Sequence, residues 1–99
     1  ALSETEKFSI EYPGDVNTKY YRGYIYYVMQ NNDQAVAEMD WIIANHNKVF
    51  YDDGKWYKAL LLNRAQKTSD AKMILNELAA SNTPYSIKAK QLLELMGEK

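Results

Sequence analysis

The chain repeats itself at an offset of 36 residues, and this internal repeat constrains the fold more than any other feature. Gly23 falls on Ala59 at this offset, and the order aromatic, aromatic, cation in residues 20–22 recurs in residues 56–58. Small and large apolar residues recur in the same way in the pairs Tyr26 and Leu62, Ala35 and Ala71, Met39 and Leu75, and Ile42 and Leu78. The pattern predicts helical hairpins, because each hairpin has an apolar face that it buries only by stacking on the next copy.

The composition indicates one folded domain and excludes several classes of chemistry. A length of 99 residues with 46% hydrophobic residues suits a single core and argues against disorder. The net charge is −1 and no run of like charge exceeds two residues, so we expect no nucleic-acid partner. The absence of cysteine excludes disulfides and thiolate chemistry. No apolar run approaches the roughly 18 residues of a membrane helix, so we expect no direct membrane insertion of this sequence.

The first part of the chain, residues 1–16, is predicted to form a short extended arm. Phe8, Ile10 and Tyr12 alternate with polar residues, which is typical of extended structure. Pro13-Gly14 then predicts a turn, since proline pre-sets φ and glycine tolerates a positive φ. We therefore expect the arm to end where the helical pattern begins.

The remaining residues, 17–99, are predicted to form an all-α domain. Two hairpins are expected at about 17–50 and 53–83, followed by a closing helix at 84–96. Thr83-Pro84 marks the start of this last helix, because threonine can cap a helix and proline loses no hydrogen bond at the first helical position. The expected fold is therefore a short stack of antiparallel hairpins with a half-repeat at its end.

The spacing within each hairpin resembles that of the tetratricopeptide repeat over about residues 17–96. A small residue is followed by a large one three positions on and by alanine twelve positions on, and a large apolar residue comes four positions later. These residues are Gly23, Tyr26, Ala35 and Met39 in the first hairpin, and Ala59, Leu62, Ala71 and Leu75 in the second. The resemblance implies a right-handed solenoid in which the first helix of each pair lines a concave groove. The arm is also similar to segments that precede such repeats in membrane-anchored bacterial proteins, which implies the soluble part of a protein of that kind.

The chain departs from the family pattern at four cationic positions. Where the family usually has a large aromatic residue three positions before a leucine, the chain has Lys19 and Arg22, and then Lys55 and Lys58. The packing positions of the repeat are unaffected by these cations, so the expected fold is retained.

The expected binding surface is aromatic and lies on the first helix of each hairpin. Tyr20, Tyr24 and Tyr27 share one face of the first helix, because they are four and three residues apart. If the resemblance holds, this face points into the groove and the third helix adds Trp56, Leu60 and Asn63, with Arg64 at the edge. Aromatic and arginine side chains on a rigid concave surface commonly anchor binding partners. The alternative is that the rings only cover the inner surface or pack on the arm.

The expected function is non-enzymatic binding of a protein or peptide segment. We predict no catalytic, cofactor-binding or metal-binding residue, because the chain has no glycine-rich phosphate loop, nucleophile elbow or HExxH motif. His46, the only histidine, is expected to cap a helix end, and Asp52 and Asp53 to cap the next helix and complement its dipole. The alternative function is structural self-association, as an oligomerisation domain of a larger, membrane-anchored bacterial protein.

Overall fold

The computed structural model describes residues 16–45 and 50–97, and the predicted all-α class is confirmed for them. No strand occurs within these two ranges. The predicted arm up to residue 15, and His46, lie outside the described residues. The helices are α1 (Val16–Val28), α2 (Asn32–Ala44), α3 (Tyr51–Arg64), α4 (Thr68–Ala79) and α5 (Tyr85–Leu95).

Each helix packs against the helices that precede and follow it in the chain. In addition, α1 approaches α3, and α3 approaches α5, whereas α2 and α4 do not approach one another. The odd-numbered helices therefore lie closer together than the even-numbered helices. The side of the domain formed by α1, α3 and α5 therefore differs in helix spacing from the side formed by α2 and α4.

The core consists of two apolar clusters that meet at α3. One cluster contains Leu61 of α3 together with buried residues of α2, and the other contains Ala59 of α3 with buried residues of α4 and α5. The buried members are Ala35, Met39, Ile42 and Leu61 in the first cluster, and Ala59, Leu75, Leu78, Ala89 and Leu93 in the second. Since α3 contributes to both, it connects the two hairpins.

The two helices of the first hairpin are in close contact at Gly23, as the alignment of small residues predicts. A Cβ atom on Gly23 would lie 2.8 Å from Met39 Cε and 3.0 Å from Glu38 Cβ. These distances are below ordinary van der Waals contact. Glycine at this position therefore allows α1 and α2 to approach more closely than any larger residue would.

The four cations that depart from the family pattern form ion pairs with carboxylates of the second helices. Glu38 is 8% exposed, accepts a hydrogen bond from Arg22 Nε and lies 3.7 Å from Lys19 Nζ. The other two pairs are Lys58 with Asp40 at 2.6 Å and Lys55 with Glu77 at 3.6 Å. Three of these ion pairs lie within a hairpin, and the pair of Lys58 with Asp40 joins α3 to α2.

Two helix ends form the same turn, 36 residues apart. Gln30 after α1 has a φ of 64° and Gln66 after α3 has a φ of 65°. The amide of the next residue in each case bonds back across the turn, from Asn31 to the Tyr26 carbonyl at 2.9 Å and from Lys67 to the Leu62 carbonyl at 2.8 Å. This is the Schellman arrangement, which glycine normally adopts with least strain.

Replacing Gln30 or Gln66 with glycine is therefore expected to stabilise the domain, by about 1 kcal/mol at each site. The gain arises because a left-handed backbone strains a residue that has a Cβ atom. Gln91→Gly is the matched control, since Gln91 is exposed within α5, and it should cost about 1 kcal/mol. Urea unfolding of the three variants measures the expected gain of stability at Gln30 and Gln66 and the expected loss at Gln91. A loss of stability in Gln30→Gly would contradict the assignment of the turn.

Candidate aromatic interaction surface

Four tyrosine rings meet between α1 and α3. Tyr57 of α3 lies at the centre, with its ring centroid 6.2 Å from that of Tyr20, 5.8 Å from Tyr24 and 5.1 Å from Tyr27. All three contacts are edge-on, the geometry that aromatic pairs prefer. The structure thus brings together the three predicted tyrosines of α1, and it adds Tyr57, which the sequence reasoning missed. We refer to Tyr20, Tyr24, Tyr27 and Tyr57 as the tyrosine cluster.

The predicted residues of α3 are only partly associated with the tyrosine cluster. Arg64 lies at its edge, with the guanidinium carbon 4.3 Å from the centroid of the Tyr27 ring and Nη1 donating to the Tyr27 carbonyl oxygen at 2.8 Å. Leu60 and Asn63 are half-buried on α3. Trp56 instead stacks on Tyr85 of α5, with 5.5 Å between ring centroids, and packs against the second core cluster.

The contact of Trp56 with Tyr85 has a counterpart in the first hairpin. Tyr20 stacks on Phe50 with 4.3 Å between ring centroids and 9° between ring planes. Tyr20 and Trp56 are equivalent at the offset of 36 residues, and each stacks on a ring near the start of the next odd-numbered helix. The contact of α1 with the start of α3 and the contact of α3 with the start of α5 therefore each include a pair of stacked aromatic rings.

One carboxylate lies among these rings. Tyr85 donates its hydroxyl hydrogen to Asp53 Oδ1, while Tyr20 and Tyr57 are hydrogen-bonded to each other. Asp53 belongs to the first turn of α3, and Phe50 is the N-cap of this helix, with no side-chain cap hydrogen bond. The expectation that Asp52 and Asp53 cap α3 is therefore wrong, although both remain in the turn where carboxylates favour the helix dipole.

Burial raises the pKa of the phenols of Tyr20, Tyr57 and Tyr85. For Tyr20 the neighbouring Tyr57 and the charge of Asp53 raise the pKa further, and for Tyr85 the hydrogen bond to Asp53 does so. For Tyr57 the hydrogen bond with Tyr20 acts in the opposite direction but is the smaller effect. These three phenols therefore stay neutral to a higher pH than an ordinary tyrosine does.

These shifts predict a loss of stability in alkali. A phenol whose pKa is higher in the folded state is neutral in both states below the ordinary value of 10.0, and ionises first in the unfolded state above it. Stability should therefore be complete below about pH 10 and fall as the pH rises further. Tyrosinate absorbance and urea unfolding measure this, and Tyr85→Phe should reduce the slope above pH 10. A slope unchanged in Tyr85→Phe would contradict the assigned environment.

The tyrosine cluster is partly exposed. Tyr24 is 41% exposed, Tyr20, Tyr27 and Tyr57 are half-buried, and Arg64 at the edge of the cluster is exposed. Within residues 16–45 and 50–97, no three acidic or histidine side chains are grouped in a way that could hold a metal ion. None of the helices formed by these residues is long and apolar enough to cross a membrane.

Comparison of the chain with protein-family models, with curated proteins and with solved structures finds no match. The geometry of the tyrosine cluster is therefore the basis of the function proposed for the domain.

Proposed function

We propose that the domain is a short stack of two tetratricopeptide-like hairpins with a closing helix, and that it binds a protein segment through the tyrosine cluster. Three features recur at or near the 36-residue offset and support the stack: the buried small residues, the Schellman turns and the stacked rings. The approach of α1 to α3 and of α3 to α5, without an approach of α2 to α4, favours curvature toward the odd-numbered helices. The tyrosine cluster would then lie on the concave side.

The main support for this proposal is that the tyrosine cluster is partly exposed although its rings are held in place by neighbouring rings. Tyr24 is 41% exposed, although its ring is fixed by edge contacts with Tyr57 and by Tyr27. Tyrosine and arginine are the residue types found most often at binding hot spots, because they add a large contact area at a small cost in entropy. With Arg64 at its edge, the cluster has the composition of such a site.

Selection of peptides from a random displayed library on the immobilised domain tests the proposal. We expect selected peptides to bind the parent, and Tyr24→Ala to weaken their binding about 10-fold, because the ring is removed from the contact. Met73→Ala is the matched control: Met73 is 67% exposed on α4 and should leave the affinity unchanged. Equal losses in the two variants, or no selected peptide at all, would contradict the proposal.

The alternative of self-association is separated by concentration. Sedimentation at micromolar concentration should show a monomer if the surface is reserved for a partner segment. A dimer that Tyr24→Ala converts to monomer would show instead that a second copy of the chain occupies the tyrosine cluster. The same variant thus distinguishes the two occupants of one surface.

A further inference from the structure

Asp53 differs from the other carboxylates that bridge helices in this domain. Glu38, Asp40 and Glu77 each form an ion pair with lysine or arginine. Asp53 is half-buried and forms no ion pair with any residue of ranges 16–45 and 50–97, and its hydrogen-bond partner is the neutral hydroxyl of Tyr85. The dipole of α3 and one neutral hydroxyl favour the carboxylate of Asp53, but no cation of these ranges is paired with it.

The surroundings of Asp53 are aromatic on two sides. Tyr57 lies one helical turn further along the same face of α3, and Tyr85 of α5 is stacked on Trp56. The charge of Asp53 raises the pKa of the phenols of Tyr20, Tyr57 and Tyr85, as expected if the carboxylate is near all three. Asp53 thus lies where the tyrosine cluster meets the stack of Trp56 on Tyr85.

None of the cations in ranges 16–45 and 50–97 forms an ion pair with Asp53. Arg64 is eleven residues further along α3, about 16 Å away along the helix axis, and lies over Tyr27. Lys88 lies over the Tyr85 ring, with Nζ 5.6 Å from the ring centroid. Two further cations also lie over rings, Lys19 over Trp41 at 5.3 Å and Lys55 over Tyr51 at 5.0 Å.

We propose that Asp53 binds a lysine or arginine side chain of the protein segment held by the tyrosine cluster. The cationic group pairs with the carboxylate, while the aliphatic stem lies against the ring of Tyr57. Rings beside a carboxylate are complementary to such a side chain, because both attract the same cation. This inference depends on the proposed function and adds the chemistry of the partner: a segment with a basic residue next to apolar ones.

Two synthetic peptides that differ at one position test the inference. Both have the form acetyl-Gly-Phe-X-Phe-Gly-amide, and X is arginine in one and glutamine in the other. NMR titration of the domain with each peptide gives the two affinities. We expect the parent to bind the arginine peptide about 5-fold more tightly than the glutamine peptide, and this preference to fall as salt is added.

The variant Asp53→Asn removes the charge but keeps an oxygen that accepts the Tyr85 hydrogen bond. We expect the preference for arginine to disappear in this variant. Asp52→Asn is the matched control, because it makes the same change on the neighbouring residue, which the helix turns about 100° away. The preference should persist in Asp52→Asn. Persistence in Asp53→Asn, or equal affinities of the parent for the two peptides, would overturn the inference.

The outcomes separate this inference from the proposed function. In one outcome both peptides bind equally, with binding weakened by Tyr24→Ala and not by Asp53→Asn. That result would retain the tyrosine cluster as a binding surface and reject the role of Asp53. An arginine preference that is sensitive to Asp53→Asn and insensitive to Tyr24→Ala would retain the cation site and reject the wider surface. No binding of the arginine peptide at millimolar concentration would reject the cation site, and the library selection would then decide the proposed function alone.

Discussion

Leu61→Ala is expected to destabilise the domain by about 2–5 kcal/mol, the range for removing a large aliphatic side chain from a tight core. Leu61 is 0% exposed and belongs to the cluster that contains Met39 and Ile42 of α2. Truncation would leave a cavity at the contact between the first hairpin and α3. For a domain of 99 residues, such a loss corresponds to a fall in melting temperature of roughly 10 °C or more.

The matched control for this truncation is Leu95→Ala. Leu95 is 85% exposed on α5, so the same chemical change should alter stability by less than about 0.5 kcal/mol. Thermal and urea unfolding of the two variants give the comparison. If Leu61→Ala and Leu95→Ala reduce the stability of the domain equally, α3 does not contribute to the first core cluster, and the hairpins are not packed as described.

Gly23→Leu is expected to cost about 1–3 kcal/mol by overpacking the contact of α1 with α2. Part of the clash is with Met39 Cε, the flexible end of a side chain that can move aside. Glu38 Cβ, at 3.0 Å from the position of the new Cβ, is attached directly to the backbone of α2 and cannot. The two helices would therefore have to separate, which would also disturb the ion pair of Glu38 with Arg22.

Tyr21→Leu is the control for this substitution, because Tyr21 is 60% exposed on the same helix and receives the same side chain. We expect Tyr21→Leu to melt within a few degrees of the parent and Gly23→Leu to melt well below it. Equal melting temperatures would show that α1 and α2 are not in close contact at Gly23, and the 36-residue register would lose its main support.

The core positions could be predicted from the sequence because helical period and residue size report directly on burial. Ala35, Ala59, Ala71 and Ala89 are each 0% exposed, and Gly23 has no space for a Cβ atom, as the alignment of small residues predicts. A small residue at a regular position in an apolar stripe has few explanations other than close packing. These positions therefore specify the register of the helices.

The helix ends were less predictable, because the turns at Gln30 and Gln66 use a residue type that seldom adopts a positive φ. Neither Gln30 nor Gln66 is itself a residue type that marks a turn. Their conformation is stabilised by hydrogen bonds back to the preceding turn of the helix, which a residue-type rule does not detect.

The members of the tyrosine cluster were predictable on α1 and only partly on α3. Trp56 is the equivalent of Tyr20 in the repeat, and equivalent side chains point in the same direction, each toward the next odd-numbered helix. The side chains of Tyr20 and Trp56 therefore do not point toward each other across the space between α1 and α3. The residue of α3 that faces back toward α1 is Tyr57, one position later and about 100° further around the helix axis. The contact of Asp53 with Tyr85 joins residues 32 positions apart, and no local pattern indicates it.

The most direct test of the binding surface is an NMR map of tyrosine ring resonances as the tightest library-selected peptide is added. The proposed function predicts that the ring resonances of Tyr20, Tyr24, Tyr27 and Tyr57 shift together and give one dissociation constant. The amide resonance of Met73 on α4 should stay unchanged. Shifts confined to α4, with the four rings unaffected, would show that the peptide binds elsewhere and would contradict the proposed function.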